Sequence, residues 1–205
     1  MHIGNIQFDY NAPVIITYLL LSLAACGLNR ITDGESNRLL FSSYNSSLLD
    51  PFTYVRLVTH CIGHQDWSHF VGNFLYILLI GPMIEEKYGS LNLLIMLILT
   101  SIVIGVFNSV IDNYIICGAS GNVYMLIVLS SFSNISEGKI PLTLVLILLF
   151  YVTTELKDEI LKKDKKVYHF GHLMGAVCGV IFGFVLWHHP TIVMDTYYGI
   201  INLLP

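Results

Sequence analysis

Three separated stretches carry residues suited to hydrolytic chemistry. Cys117-Gly118-Ala119-Ser120-Gly121-Asn122-Val123-Tyr124 sets a serine hydroxyl between two glycines where an apolar run begins. Glycines let the backbone turn tightly and let another group approach the hydroxyl. A helix N-terminus there presents unpaired N–H donors and a positive dipole end, which favour a developing oxyanion beside Ser120. Alone, the string also fits a glycine-softened helix start with a capping serine. His172 lies in a run with glycines at 171, 175, 179 and 183. Spacing of four keeps Gly175 and Gly179 near one helix face, which His172 shares. If the helix opened by Ser120 packs on that face, the imidazole can take the serine proton and return it to a leaving amine. The alternative is a glycine-packed helix whose histidine is satisfied by a neighbouring hydroxyl. An ionisable side chain inside an apolar span is costly and favours function.

His69 and Asn73 are four apart and stack on one helix face. Both can donate hydrogen bonds. With the backbone N–H groups of Gly118 to Ser120 they would form an oxyanion hole, each donor contributing about 3 kcal/mol to the transition state. Taken in isolation they are also two polar residues at a wet helix end. Tyr124, one turn after Ser120, can pack on the His172 ring or serve as a core tyrosine. No Asp or Glu lies near His172 in sequence, so a Ser-His dyad is the economical arrangement.

The elements that must position these groups are membrane spans. The chain has 205 residues, 55% of them hydrophobic and 12% charged, with mean hydropathy +0.69. A soluble domain carries about 25% charged residues. The apolar residues fall in long blocks, predicting an all-α, multi-pass membrane protein of one domain, 1–205. Six spans are expected, near 12–28, 68–86, 91–110, 120–133, 140–154 and 168–187. Residues 29–67 are too polar to cross and read as a long interfacial first loop, with an amphipathic stretch from Phe52 to Ile62. The starts of the second, fourth and sixth spans share one membrane face, which sets His69, Ser120 and His172 at similar depth. No Lys or Arg precedes the first apolar block, so it is expected to stay as a span rather than be removed as a signal. Cys26, Cys61, Cys117 and Cys178 form no C-x-x-C pair and read as small buried hydrophobes.

Taken together, Arg56-Leu57-Val58-Thr59, His64, Trp67, His69-x-x-x-Asn73, Gly118-Ala119-Ser120-Gly121 with Tyr124, and His172-x-x-Gly175-x-x-x-Gly179 resemble the rhomboid intramembrane serine proteases. The resemblance covers the end of the first loop and spans two to six. It implies a six-helix bundle and peptide-bond hydrolysis in or at the edge of the bilayer. Ser120 matches the family nucleophile, His172 its general base, and His69 and Asn73 its oxyanion pair. Glu86 matches a structural acidic residue at the end of the second span. In this chain Val55-Arg56 stands where Trp-Arg is common, with Tyr54 the nearest aromatic. The implied partners are transmembrane protein substrates and the lipid bilayer, in a plasma or inner membrane, and no cofactor is required.

Water must still reach a hydrolase in lipid. His60, His64, Gln65, Asp66 and Ser68 are expected to hold a wet pocket above Ser120, with the fifth span moving aside for substrate. A metal-dependent protein is the rival, since His60, His64 and His69 are possible ligands, but no His-Glu-x-x-His is present. A binding-only relative is the other rival, although it would not need both Ser120 and His172. Nucleic acid is no expected partner, as Lys plus Arg total 10. Eight of these lie on the side that carries Ser120, which by the positive-inside count is cytoplasmic. The family resemblance puts that side outward.

Overall fold

The computed structural model describes residues 2–3, 6–7, 9–111, 114–132 and 169–188, with isolated positions 142, 145, 146 and 149. Among them are seven helices: α1 (Pro13–Ile31), α2 (Glu35–Leu40), α3 (Pro51–Thr59), α4 (Trp67–Tyr88), α5 (Ser90–Ile111), α6 (Ser120–Ser131) and α7 (His169–His188). A two-residue antiparallel ladder, His2–Ile3 against Ile6–Gln7, precedes them. The fold is therefore helical throughout its described body.

Three helices, α1, α4 and α5, are long and apolar enough to cross a membrane, while α6 and α7 offer shorter apolar stretches. The expected spans at 12–28, 68–86, 91–110, 120–133 and 168–187 correspond to α1, α4, α5, α6 and α7, with α1 running to Ile31. The expected fifth span at 140–154 and the charged loop after it fall outside the described residues, save for the isolated positions.

Helix boundaries follow local chemistry. Pro13 opens α1, where a missing N–H costs nothing. Asp50 caps α3 by accepting from Phe52 N at 3.0 Å. Asp66 caps α4 by accepting from His69 N at 2.8 Å. Gly89 ends α4 at φ +81°, a conformation that suits glycine.

The first loop is a folded block that includes α2 and α3. Leu48, Leu49, Phe52 and Tyr54 are exposed on it, whereas Arg56 is 3% exposed. Its guanidinium donates to Asp50 at 2.9 Å, Ser46 Oγ at 3.0 Å and the Leu39 carbonyl at 3.2 Å. The aromatic ring beneath it is Tyr44, 4.6 Å away. Tyr54 instead donates to the Leu48 carbonyl at 3.0 Å. A buried guanidinium is tolerable only when its charge is met this way; here Nη1 and Nη2 carry the contacts and Nε makes none.

The core lies where α4 meets α1, α5 and α6. Phe70, Phe74 and Ile77 of α4 pack with Ile15 and Tyr18 of α1, Leu97 of α5 and Leu126 of α6 in one buried cluster. The acidic residue that ties α4 to α1 is Glu85 rather than Glu86. Glu85 is buried, and its carboxylate accepts from Val14 N at 2.9 Å, Ile15 N at 3.1 Å and Ser90 Oγ at 2.7 Å. It thereby satisfies N–H groups at the start of α1, where negative charge is also favoured by the dipole. Glu86 is exposed, because one residue rotates the side chain about 100° around the helix.

Glu85→Ala is expected to destabilise the protein by about 2–3 kcal/mol, through the orphaned N–H groups. Glu86→Ala should stay within about 0.5 kcal/mol of wild type. Thermal unfolding in detergent checks this, and equal losses for the two would contradict it.

Candidate active site

The loop ahead of α6 is fixed before the serine is reached. Ser43 and Ile116 exchange backbone hydrogen bonds at 2.9 Å, and Gly118 N donates to the His60 carbonyl at 2.9 Å. Asn108 Nδ2 holds the carbonyls of Ser43 and Tyr114, at 3.0 and 3.1 Å. Gly118 sits at φ +131°, a region L side chains rarely adopt. A Cβ on it would lie 2.8 Å from His69 Nε2 and 3.6 Å from Asn73 Nδ2. Both polar groups of α4 therefore converge on the bare face of Gly118. The helical ladder of α6 starts with Val123 N on Ala119 O at 3.0 Å, so the N–H of Ser120 comes before the first such bond.

Helix α7 closes the other side. A Cβ on Gly175 would run into the carbonyl of Gly121, and one on Gly179 would lie 2.6 Å from the Met125 carbonyl. These glycines let the two backbones touch. One turn beyond Ser120, the Tyr124 ring stacks on His172, centroids 4.5 Å apart at 28°.

Ser120, His172, His69, Asn73, Gly118 and Tyr124 thus front one cavity of about 550 Å³, with Gly121 beside them. Of the five polar residues expected to hold water, His60 and Gln65 line it. His64 is fully buried, and Asp66 serves as the α4 cap. Cys117 also lines the cavity. Burial pushes its thiol up to about 11, against the Ser42 hydroxyl that lowers it, so it stays protonated at neutral pH.

Two arrangements were not legible in the motifs. Asn122 Nδ2 donates to Tyr18 Oη at 3.2 Å and Ser101 Oγ at 3.3 Å. Those hydroxyls donate in turn to the carbonyls of Cys61 and Leu97, at 2.9 and 2.8 Å. This network joins α1, α5 and α6, with Asn122 and Ser101 themselves lining the cavity, and its members lie up to 104 residues apart in sequence. The second is the set of partners around His64. Its Nδ1 faces the Ile62 carbonyl at 3.1 Å, and its Nε2 faces Asn73 Nδ2 at 3.1 Å. His60 Nδ1 is likewise engaged, 3.2 Å from the Arg56 carbonyl. Of the three histidines considered as metal ligands, His64 has both ring nitrogens engaged. Among the described residues no group of three His, Cys, Asp or Glu side chains is arranged around a metal position.

A polytopic helical bundle with a serine, two histidines and an asparagine around one cavity defines a class of membrane protein, and comparison with known proteins makes the class specific. Residues 51–189 match the rhomboid domain family, so the chain belongs to the rhomboid family. It is 24% identical over 156 residues to a protein named rhomboid-like protein 11, chloroplastic, of Arabidopsis thaliana, covering 69% of this chain and 56% of that protein. It is 24% identical over 138 residues to the rhomboid protease GlpG of Haemophilus influenzae, covering 63% of this chain and 68% of that protein. The chain thus spans little more than half the length of the plant relative. Membership and the apolar helices make it a membrane protein.

The site's histidines make stability pH-dependent. Burial lowers His60 to about 4, against the carbonyls of Arg56 and Leu57 that raise it. Burial also lowers His64 to about 4, the His69 ring adding to it while the Ile62 carbonyl and Asp66 oppose it. Both folded values lie below the ordinary 6.5, so the unfolded chain takes up protons first as pH falls. The stability held by the neutral rings is complete above about pH 6.5 and is lost toward pH 4. The melting midpoint in detergent is expected to fall across that window; a flat midpoint from pH 7 to about pH 4 would contradict this reading.

Proposed function

We propose that the protein is an intramembrane serine endopeptidase that cleaves transmembrane protein substrates through a Ser120-His172 dyad and an acyl-enzyme. The observation that carries this reading is the single cavity fronted by Ser120, His172, His69 and Asn73. Family membership supports it, as does a relative whose printed name is a rhomboid protease.

In the proposed reaction the Ser120 hydroxyl oxygen attacks the scissile carbonyl carbon while His172 takes its proton. Negative charge on the carbonyl oxygen is met by the Ser120 N–H, His69 and Asn73. His172 then protonates the departing amine, the C–N bond breaks, and Ser120 holds the acyl group as an ester. A water molecule attacks that ester with His172 again as base, and the released acid regenerates the hydroxyl. Tyr124, stacked on the imidazole, holds the ring plane. Gly121, Gly175 and Gly179 support the dyad by setting the distance between its helices.

We further propose six spans in one domain over 1–205, adding a fifth near 140–154 that moves aside for substrate. At 12 residues, α6 extends about 18 Å. That is well short of the roughly 30 Å hydrocarbon layer, which fits a Ser120 recessed from the surface. The substrates that fit are single-span proteins cut where a small residue and an unstable helix expose the peptide bond. The protein is assigned to a plasma or inner membrane, with the cavity facing outward and the termini inward.

A fluorophosphonate probe is expected to label wild type and not Ser120→Ala, with chelators having no effect. Asn73→Ala should retain labelling but lower kcat by about 10²–10³-fold. Labelling that persists in Ser120→Ala would sink the proposal. Absence of labelling in a folded wild type would favour a binding-only relative.

A further inference from the structure

We infer that His64 is a positioning residue that locks the Asn73 carboxamide with its NH2 group toward the cavity loop, so that one N–H is left to meet the oxyanion. The inference rests on the proposed hydrolase reading and adds a residue to it.

His64 lies between α3 and α4 and is 0% exposed. Its Nδ1 is 3.1 Å from the Ile62 carbonyl oxygen, which can only accept, so Nδ1 carries the hydrogen. The neutral ring then has its lone pair on Nε2. Asn73 Nδ2 lies 3.1 Å from that lone pair. Only the NH2 end of the amide can face an acceptor, so the usual ambiguity between amide oxygen and nitrogen is removed. Ala119 N points at the same lone pair from 3.5 Å. One ring nitrogen thus draws together the α4 asparagine and the residue immediately before Ser120.

The carboxamide nitrogen has two hydrogens. One is used on His64. The other remains for the space beside Gly118, where a Cβ would lie 3.6 Å from Asn73 Nδ2 and 2.8 Å from His69 Nε2. Without an acceptor at His64 Nε2, the amide is free to turn over. Its oxygen would then replace the nitrogen on the cavity side and repel a developing negative charge. The motif spacing gives no hint of this, because His64 is neither on α4 nor on the cavity wall.

Two substitutions separate positioning from mere packing. A glutamine at 64 can bring its carboxamide to the place of Nε2, whereas an asparagine reaches only the place of Nδ1. His64→Asn is expected to lower kcat by about 10–100-fold, with KM within about threefold of wild type. His64→Gln should recover most of that loss. In the Asn73→Ala background, His64→Asn should change kcat by less than about threefold, since residues acting through one another are not additive. Losses from His64→Asn and Asn73→Ala that simply multiply would overturn the inference, as would equal activity of the two His64 variants. Nitrogen-15 shifts of His64 in the wild-type protein need no variant: the Nδ1–H tautomer at neutral pH is expected, and the Nε2–H tautomer would overturn the assignment. If wild type is instead inert to the fluorophosphonate probe, the hydrolase reading fails, while the tautomer still tests the local geometry.

Discussion

The backbone contact between Gly121 of α6 and Gly175 of α7 is the constraint on which the rest of the structure depends. A methyl group on Gly175 would occupy the space of the Gly121 carbonyl, and a methyl on Gly179 would press on the Met125 carbonyl. Further along, Gly183 faces the Phe132 ring. Helices in lipid gain nothing from hiding apolar surface from each other, so close packing of small residues has to hold them. The contact brings the Tyr124 ring onto His172 and sets Ser120 on the same cavity. It also explains the burial of α6, which hides Gly121, Asn122, Val123, Met125 and Leu126 on successive faces. Only the side that carries Ser120, Tyr124 and Ile127 is half-buried, and it lines the cavity, so lipid contact does little to orient the helix. Its neighbours must therefore fix it.

They do so with polar groups at both levels. Above Ser120, the incoming chain is strapped by His60 and Ser43 of the first loop and by Asn108 of α5. That loop is itself held by the buried Arg56 and its ion pair with Asp50. Below, Asn122 reaches Tyr18 and Ser101. Unsatisfied polar groups cost several kcal/mol in lipid, so each bond helps select one register of α6. The same logic holds α1 on α4, where Glu85 takes the first N–H groups of α1. Rigid surroundings suit a site whose proposed work is to present fixed donors to a charge that appears only in the transition state.

Much of this was legible in the chain itself. Apolar block length gave α1, α4 and α5, and the four-residue glycine period in α7 marked the face on which another helix packs closely. The spacing of His69 and Asn73 placed both on one face of α4, and both front the cavity. What escaped has a common physical cause: a motif names a residue but not the direction of its side chain. Glu85 and Glu86 are adjacent, and only the packing of α1 shows which carboxylate turns inward. Tyr44, not Tyr54, lies under Arg56 because the loop folds back before α3. Asn122 sits two residues after Ser120 in the first turn of α6, and nothing in the motif shows that its partners come from α1 and α5. His64 belonged to the recognisable pattern, yet its partners depend on a tautomer that only the facing carbonyl reveals.

The most direct test compares two single methyl groups on α7. Gly175→Ala would push against the Gly121 backbone, which cannot move aside, whereas a Cβ on Gly171 would meet only the Ile104 Cγ2 methyl at 3.7 Å, an ordinary contact. Cleavage of a transmembrane substrate by the purified protein in bilayers should fall by at least about tenfold for Gly175→Ala, because small misplacements of reacting groups are that costly. Gly171→Ala should stay near wild type. Full activity in Gly175→Ala would contradict the claim that backbone contact between α6 and α7 sets the proposed dyad.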